Sequence, residues 1–300
     1  MSSEIAEIKD EITPIQGPIY RVYPRRFYVL FIFAFLGFNQ CLMWLTFSPI
    51  ARHAEEYYNI TVNTIDLLLN WGPIISIPCL PLAALLLNTP NGLRYCVIVL
   101  ALTDFLAALV RMLPSILLKS TSSNFNTVAL PLIHLGQILN AICGPLAAIP
   151  VSQLSSLWFA PHERTRATTI AVLANNNIGT AVGFIISPYI VTQSEHVPYL
   201  LYLHFGLACV ACVLTIFSFP ARPPLAPSAA AELLIAGSES SGTRQNWRKF
   251  LKDLWTCLTN PAFICLAIAG GLINGAFNAW TGLYDVLLES ENYTETQAGK

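Results

Sequence analysis

The chain has 300 residues, of which 54% are hydrophobic and 11% charged, with a mean hydropathy of +0.56 and a net charge of −1. Because charged residues make up about 25% of ordinary soluble domains, this composition excludes a soluble globular protein and indicates one embedded in a lipid bilayer. The near-neutral chain shows no basic patch of the kind that binds nucleic acid.

The amino-terminal tail, residues 1–26, is predicted to be cytoplasmic, because Arg21, Arg25 and Arg26 directly precede the first apolar run. The apolar runs that follow are each long enough to cross a hydrocarbon layer of about 30 Å. They are 27–50, 65–87, 95–117, 128–158, 167–192, 199–219 and 261–287. The sequence therefore predicts an all-α membrane protein with a six-helix bundle over 27–220 and a seventh helix in 261–300.

The orientation rests on two independent patterns. With the amino terminus cytoplasmic, the Lys and Arg residues divide as 12 inside and 4 outside. The glycosylation sequons at Asn59 and Asn292 then both fall on the non-cytoplasmic side.

Residues 221–260 form the longest connection, which begins rich in proline and serine. From Trp247 to Leu258, large apolar residues recur at helical spacing with Arg and Lys between them, which predicts an amphipathic helix on the cytoplasmic membrane surface. Six spans, a long cytoplasmic connection and a further span are typical of transporters built from two six-helix halves.

The fifth run carries small and polar residues four apart, which places them on one helix face with a Gly-x-x-x-Gly at its centre. They are Ala171, Asn175, Gly179, Gly183 and Ser187. This face predicts the close approach of another helix.

Polar residues of the first, fourth and seventh runs are candidates for lining a solute path. In the first run, Gln40, Trp44 and Ser48 are four residues apart and so share one helix face. An indole beside an amide can hold a flat or cationic solute. The alternative is that these side chains only join helices to one another. The candidates are Gln40, Trp44, Gln137, Asn140, Asn274 and Asn278.

Asp104 and His134 are candidates for coupling transport to a proton gradient, because a buried carboxylate or imidazole can take up a proton. The alternative for Asp104 is an internal ion pair with Arg111 or another partner. The alternative for His134 is a structural hydrogen bond between helices.

Two short loops resemble gating loops of the major facilitator superfamily. The loop after the second run keeps Gly92 and Arg94 but has Asn88 where an acid is usual, which weakens any gating salt bridge there. The loop between the fourth and fifth runs carries Glu163 and Arg164.

Several runs together resemble solute carrier family 49 of that superfamily: WGPIISIPC (71–79), GLR (92–94), HLGQILNAICGP (134–145), SLWFAPHERTRATT (156–169) and ARPPLAPS (221–228). The resemblance is greatest to a lysosomal member associated with proton-dependent pyridoxine movement. It implies a lysosomal membrane location, with the plasma membrane as the alternative. The family's choline and haem-associated members use a Trp, a Gln and a Tyr as a cation site. Trp44 matches the first, but Gly144 and Asn278 occupy the other two positions, which favours a pyridoxine-like solute over choline.

The resemblance also implies an eighth helix beyond Lys300, so we expect a fragment or a shortened isoform, without autonomous transport if it is the whole product. A seven-helix receptor is the alternative that the number of spans invites, but it requires the opposite orientation. We expect no enzyme, cofactor or metal site, because the sequence has no nucleophile–base pair, metal-ligand spacing or phosphate loop.

Overall fold

The structure is a computed structural model that describes residues 20–118, 122, 124–240 and 247–289, apart from the side chains of 238–240, 247–250, 278 and 281–289. Its regular elements in these ranges are all helical. The α-helices are α1 (Arg25–Trp44), α2 (Ala51–Tyr58), α3 (Val62–Leu87), α4 (Gly92–Leu117), α5 (Phe125–Ala148), α6 (Val151–Trp158), α7 (Arg164–Leu173), α8 (Gly179–Ile190), α9 (Val197–Ser218), α10 (Ala229–Ser240), α11 (Trp247–Leu258) and α12 (Pro261–Glu289).

Six helical runs in the described residues are long and apolar enough to cross a membrane: α1, α3, α4, α5 with α6, α7 with α8, and α9. A seventh candidate is α11 with α12, which meet at an angle of 83°. The all-α membrane fold predicted from the sequence is therefore confirmed. The bend suits a helix that turns from the membrane surface into a span, although the surface position of α11 stays a prediction.

Helix α1 occupies the centre of the bundle, where it packs against α4, α5, α8 and α9. Around it the buried residues form one large apolar cluster that reaches Trp158 and a second that includes Phe47, Tyr58 and Phe125. The rings of Tyr58 and Phe125 stack at 6.0 Å. Small displacements of α1 therefore affect most of the other spans.

Two predicted runs end or break earlier than their hydropathy indicates. The first run was expected to continue to residue 50, but α1 ends at Trp44 and Ser48 begins a 3-10 turn, so the expected face of Gln40, Trp44 and Ser48 is interrupted. Pro49 contributes to this, because it has no N–H to continue the helical ladder. Pro150 separates α5 from α6 for the same reason, whereas the prolines inside α3 leave that helix continuous.

The small-residue face of the fifth run packs against α1, a partner that the sequence did not specify. A Cβ on Gly179 would lie 2.7 Å from the Cβ of Cys41 and 2.8 Å from the Phe38 carbonyl oxygen. A Cβ on Gly37 of α1 would overlap the Asn175 amide. The predicted close approach is confirmed, and it depends on glycines in both helices.

Candidate solute path and gating loops

The junction of α1 and α3 holds the indole of Trp44. Its Nε1 donates a hydrogen bond to the Leu69 carbonyl oxygen at 3.0 Å. A Cβ on Gly72 would lie 2.9 Å from the same nitrogen, so α3 makes room for the ring with a glycine. Trp44 and Gln40 are both half-buried, which leaves part of each side chain accessible from the bundle surface.

Gln137 and Asn140 of α5 are fully buried and point at α1. The Gln137 Nε2 donates to the Trp44 carbonyl oxygen at 3.0 Å, and the Asn140 Nδ2 donates to the Gln40 carbonyl oxygen at 3.3 Å. Carbonyls in the last turn of a helix lack partners within it, so Gln137 satisfies one at the end of α1. These contacts match the alternative of helix joining, and a direct role in a solute path stays a prediction.

A half-buried pair of aromatic rings, Trp71 and His134, joins α3 to α5. Trp71 donates from Nε1 to Nδ1 of His134 at 3.0 Å, and the two rings meet edge to face. An indole nitrogen is only a donor, so His134 must present an unprotonated Nδ1. The His134 ring thus serves as an interhelical acceptor, and its role in proton coupling remains a prediction.

Asp104 and Arg111 of α4 are buried inside the bundle, with 0% and 1% of their surfaces exposed. Neither Asp104 oxygen has a hydrogen-bond partner among the described residues, and Arg111 donates from Nη1 to the Met43 carbonyl oxygen at 3.0 Å. The alternative of an Asp104–Arg111 ion pair is therefore not realised in the described part of the chain. Helical spacing placed both residues on one side of α4 but left out α1, which supplies the acceptor for Arg111.

A π-helical turn over Ala174–Ile178 interrupts the fifth span, and the sequence analysis did not identify it. It exposes Asn176 and Asn177, whose side-chain amides make no hydrogen bond to any described residue. The Asn176 carbonyl oxygen accepts from Cys41 Sγ at 3.7 Å, which places the turn beside Gln40. Such turns occur frequently at functional sites, and the signal for this one was three consecutive asparagines in an apolar run.

Asn274 is the candidate of the seventh span whose side chain the structure describes. Asn274 is exposed and donates from Nδ2 to the carbonyl oxygen of Gly270 in its own helix at 2.9 Å. The Asn278 side chain and Asn292 lie outside the described residues. Asn59 is exposed just after α2, with a left-handed φ of 46°, in the short segment before α3.

In the loop between α3 and α4, Gly92 packs beneath the Leu86 and Leu87 carbonyls, where a Cβ would overlap them. Asn91 precedes it with a φ of 60°, a left-handed conformation that asparagine tolerates well. Arg94 is half-buried and has no ion pair with a described residue.

In the loop between α6 and α7, Glu163 accepts a salt bridge from Arg26 Nη2 at 2.8 Å, which ties the start of α1 to this loop. Arg164 donates to the Ser228 Oγ just before α10 at 2.6 Å and to the Ser156 carbonyl oxygen at 3.3 Å. The bond from Arg164 to Ser228 holds the linker helix α10 against the end of the bundle.

A bundle of apolar spans with half-buried indoles and short charged loops defines a multi-pass membrane protein. Residues 29–299 match the family model of the Major Facilitator Superfamily, and the chain belongs to that family.

Within the superfamily, the chain is 31% identical to the solute carrier family 49 member 4 homolog of Xenopus tropicalis, an alignment that covers 93% of this chain and 60% of that protein. It is 27% identical to solute carrier family 49 member A3 of the same frog, over 93% of this chain and 55% of that protein. It is 29% identical to the choline/ethanolamine transporter FLVCR1 of Felis catus, over 92% of this chain and 48% of that protein. The resemblance to solute carrier family 49 is confirmed, and the chain spans about 60% of the length of the first of these relatives.

Proposed function

We propose that this chain forms part of a transporter for a small organic solute, which contacts the half-buried face formed by α1, α3, α5 and the π-helical turn. The observation that carries the proposal is the combination of two indoles, an imidazole and two exposed amides on these four elements. They are Trp44, Trp71, His134, Asn176 and Asn177. Polar groups at membrane depth normally face a protein interior or a wet cavity.

The chemistry of this face favours a flat, hydroxylated aromatic solute such as pyridoxine. An indole face can stack on a pyridine ring, and amides can bind its hydroxyl groups. The transporter relative named for choline and ethanolamine makes a cationic solute the second candidate. Gly144 supplies no side chain that could help to enclose a quaternary ammonium ion, so we rank choline second.

We further propose that protons are the coupling ion, with Asp104 and His134 as the candidate groups, and that the protein resides in the lysosomal or plasma membrane with its amino terminus in the cytoplasm. Asn274 and Asn278 extend the proposed path along α12. Gly92, Arg94, Glu163 and Arg164 are the proposed gating contacts, and Asn59 and Asn292 the proposed glycan sites.

Direct binding tests the site without requiring a full transport cycle. Purified protein in detergent is incubated with radiolabelled pyridoxine and, separately, with radiolabelled choline. We expect Trp44→Ala to weaken pyridoxine binding by up to about tenfold, which corresponds to the loss of one stacking contact. Trp158→Phe is the control, because Trp158 is buried in the apolar cluster at the other end of the bundle.

If the wild type binds choline more tightly than pyridoxine, choline becomes the first candidate solute and pyridoxine the second. Unchanged binding in Trp44→Ala would remove Trp44 from the site. Uptake into vesicles, compared with and without a pH gradient, then distinguishes a transporting protein from the alternative of a non-transporting regulatory form.

A further inference from the structure

A second polar cluster lies inside the bundle, apart from the half-buried face. It comprises Asp104 and Arg111 of α4, His204 of α9 and Thr46 after α1, and at most 3% of any of these residues is exposed. Apolar residues of α1, α4 and α9, among them Met43, surround this region. Nothing in the sequence analysis identified His204, a lone histidine in an apolar run.

Hydrogen bonds connect three helices through this cluster. The Met43 carbonyl oxygen accepts from Arg111 Nη1 at 3.0 Å and from the Thr46 hydroxyl at 2.7 Å. The His204 Nδ1 lies 3.3 Å from Thr46 Oγ1. Because the Thr46 hydrogen is used on Met43, we infer that His204 donates from Nδ1 to Thr46. The chain of bonds therefore ends on the carbonyl next to Trp44.

The charges of the cluster are not balanced by contact. Both Asp104 oxygens, the Arg111 Nε and Nη2, and the His204 Nε2 are buried without a hydrogen-bond partner among the described residues. Asp104 and Arg111 are seven residues apart, about 10.5 Å along an α-helix. An ionised carboxylate without a donor is far more costly in an apolar interior than a neutral carboxyl group.

The other groups around this pair offer Asp104 no second cation within the part of the chain that the structure describes. Cys143 of α5 and Cys212 of α9 lie within electrostatic range of Asp104. Tyr58 of α2 and His204 lie within range of Arg111. Burial raises the pKa of the Tyr58 hydroxyl, which keeps it neutral. Arg111 is thus the cation that can balance an ionised Asp104.

The geometry also gives Arg111 a route to Asp104. A side chain on an α-helix leans toward the amino terminus, which is the direction of Asp104 from Arg111. Gly136 of α5 leaves the space in which the Arg111 stem lies, since a Cβ there would come within 2.9 Å of Cδ. The Arg111 guanidinium therefore bonds the Met43 carbonyl while lying within electrostatic range of the Asp104 carboxylate.

We propose that Asp104 is a proton-binding site whose charge, when the proton leaves, weakens the bond between Arg111 and the end of α1. In the state described, Asp104 holds the proton and Arg111 binds the end of α1. When the proton leaves to water, the Arg111 guanidinium is drawn toward the carboxylate and its hydrogen bond to the Met43 carbonyl weakens, which removes one of the side-chain bonds that hold the end of α1 beside Trp44. The role in coupling rests on the proposed transport function, whereas the proton site itself does not.

Infrared spectroscopy of the full chain in lipid nanodiscs, without solute, tests the site. A protonated carboxyl group absorbs at higher frequency than an ionised carboxylate. We expect the wild type at neutral pH to show a protonated-carboxyl band that Asp104→Asn removes and that the control Asp66→Asn, in α3, retains. In Arg111→Gln the band should persist to a higher pH than in the wild type, because the balancing cation is gone.

A protonated-carboxyl band that persists in Asp104→Asn would overturn the proposal. So would a band in Arg111→Gln that titrates at the same pH as in the wild type. If Asp104→Asn does not fold, Asp104→Glu must shift the band rather than leave it unchanged. Pyridoxine binding by the same preparations is measured separately. A failure of binding with an intact band would count against the transport function alone, and the reverse result against the proton site alone.

Discussion

The indole of Trp71 donates a hydrogen bond to the Nδ1 of His134 at 3.0 Å, and this bond joins the second and fourth spans. It exists only while Nδ1 is unprotonated, because a histidinium has no acceptor. Its stabilising contribution is therefore present at neutral pH and is lost as acid protonates the ring. Acidification should loosen the contact between α3 and α5 on the face where we place the solute.

We expect the wild type to lose about 1 kcal/mol of stability from this bond between about pH 8 and about pH 5. Thermal unfolding in detergent measures the change. In Trp71→Phe the drop should be smaller by this amount, because there is no bond to lose. Trp255→Phe, which alters an exposed tryptophan of α11, should behave as the wild type. An equal drop in Trp71→Phe would contradict the assignment.

Gly179→Ala should destabilise the protein by about 1 to 3 kcal/mol, because the added methyl group would press on α1 at Cys41 and Phe38. The melting temperature in detergent reports the loss. Gly206→Ala is the matched control, since a Cβ built there in α9 has no atom of a neighbouring described helix within 4 Å. Because Ala favours a helix over Gly by about 1 kcal/mol, Gly206→Ala should be neutral or stabilising, and equal effects of the two substitutions would mean that α1 does not press on the added methyl group.

Arg164→Ala should release the linker helix α10, because it removes the hydrogen bond to the Ser228 Oγ. A hydrogen bond from a charged donor contributes about 1.5 kcal/mol or more, so amide hydrogens of α10 should exchange about tenfold faster. Mass spectrometry of hydrogen exchange measures this rate. Arg166→Ala is the control, an exposed arginine two residues further on. Unchanged exchange in Arg164→Ala would show that apolar packing alone holds α10.

The proposed orientation predicts a glycan on Asn59, which is exposed in the segment between α2 and α3. Thr61→Ala should abolish the glycan-dependent shift on a gel, and Thr61→Ser, which keeps the sequon, should retain it. The wild type treated with an endoglycosidase is the reference. A sequon engineered into the amino-terminal tail should stay unmodified, and its modification would reverse the proposed orientation.

Sequence patterns predicted the features that depend on a single helix. Hydropathy located the spans because a membrane requires about 20 apolar residues for each crossing. Four-residue spacing located the packing face of Gly179 and Gly183, since residues at that spacing share a side of a helix. The same reasoning extended α1 too far, because hydropathy does not register the turn at Ser48 and Pro49.

The partners of the polar side chains could not be read from the sequence. Gln137 bonds to a carbonyl of α1, and backbone acceptors carry no signature in the side-chain sequence. His204 belongs with Thr46, which lies 158 residues earlier in the chain. Asn176 and Asn177 became candidates only when the π-helical turn showed which of three adjacent asparagines is buried.

The sequence by itself determined that this chain is a bundle of membrane helices of the superfamily, because the bilayer dictates the length and polarity of each span. Only the tertiary structure decided that Arg111 binds Met43 rather than Asp104, and that Gln137 and Asn140 join helices. Those pairings depend on which helices are neighbours and at what depth they meet, and packing between distant segments sets both.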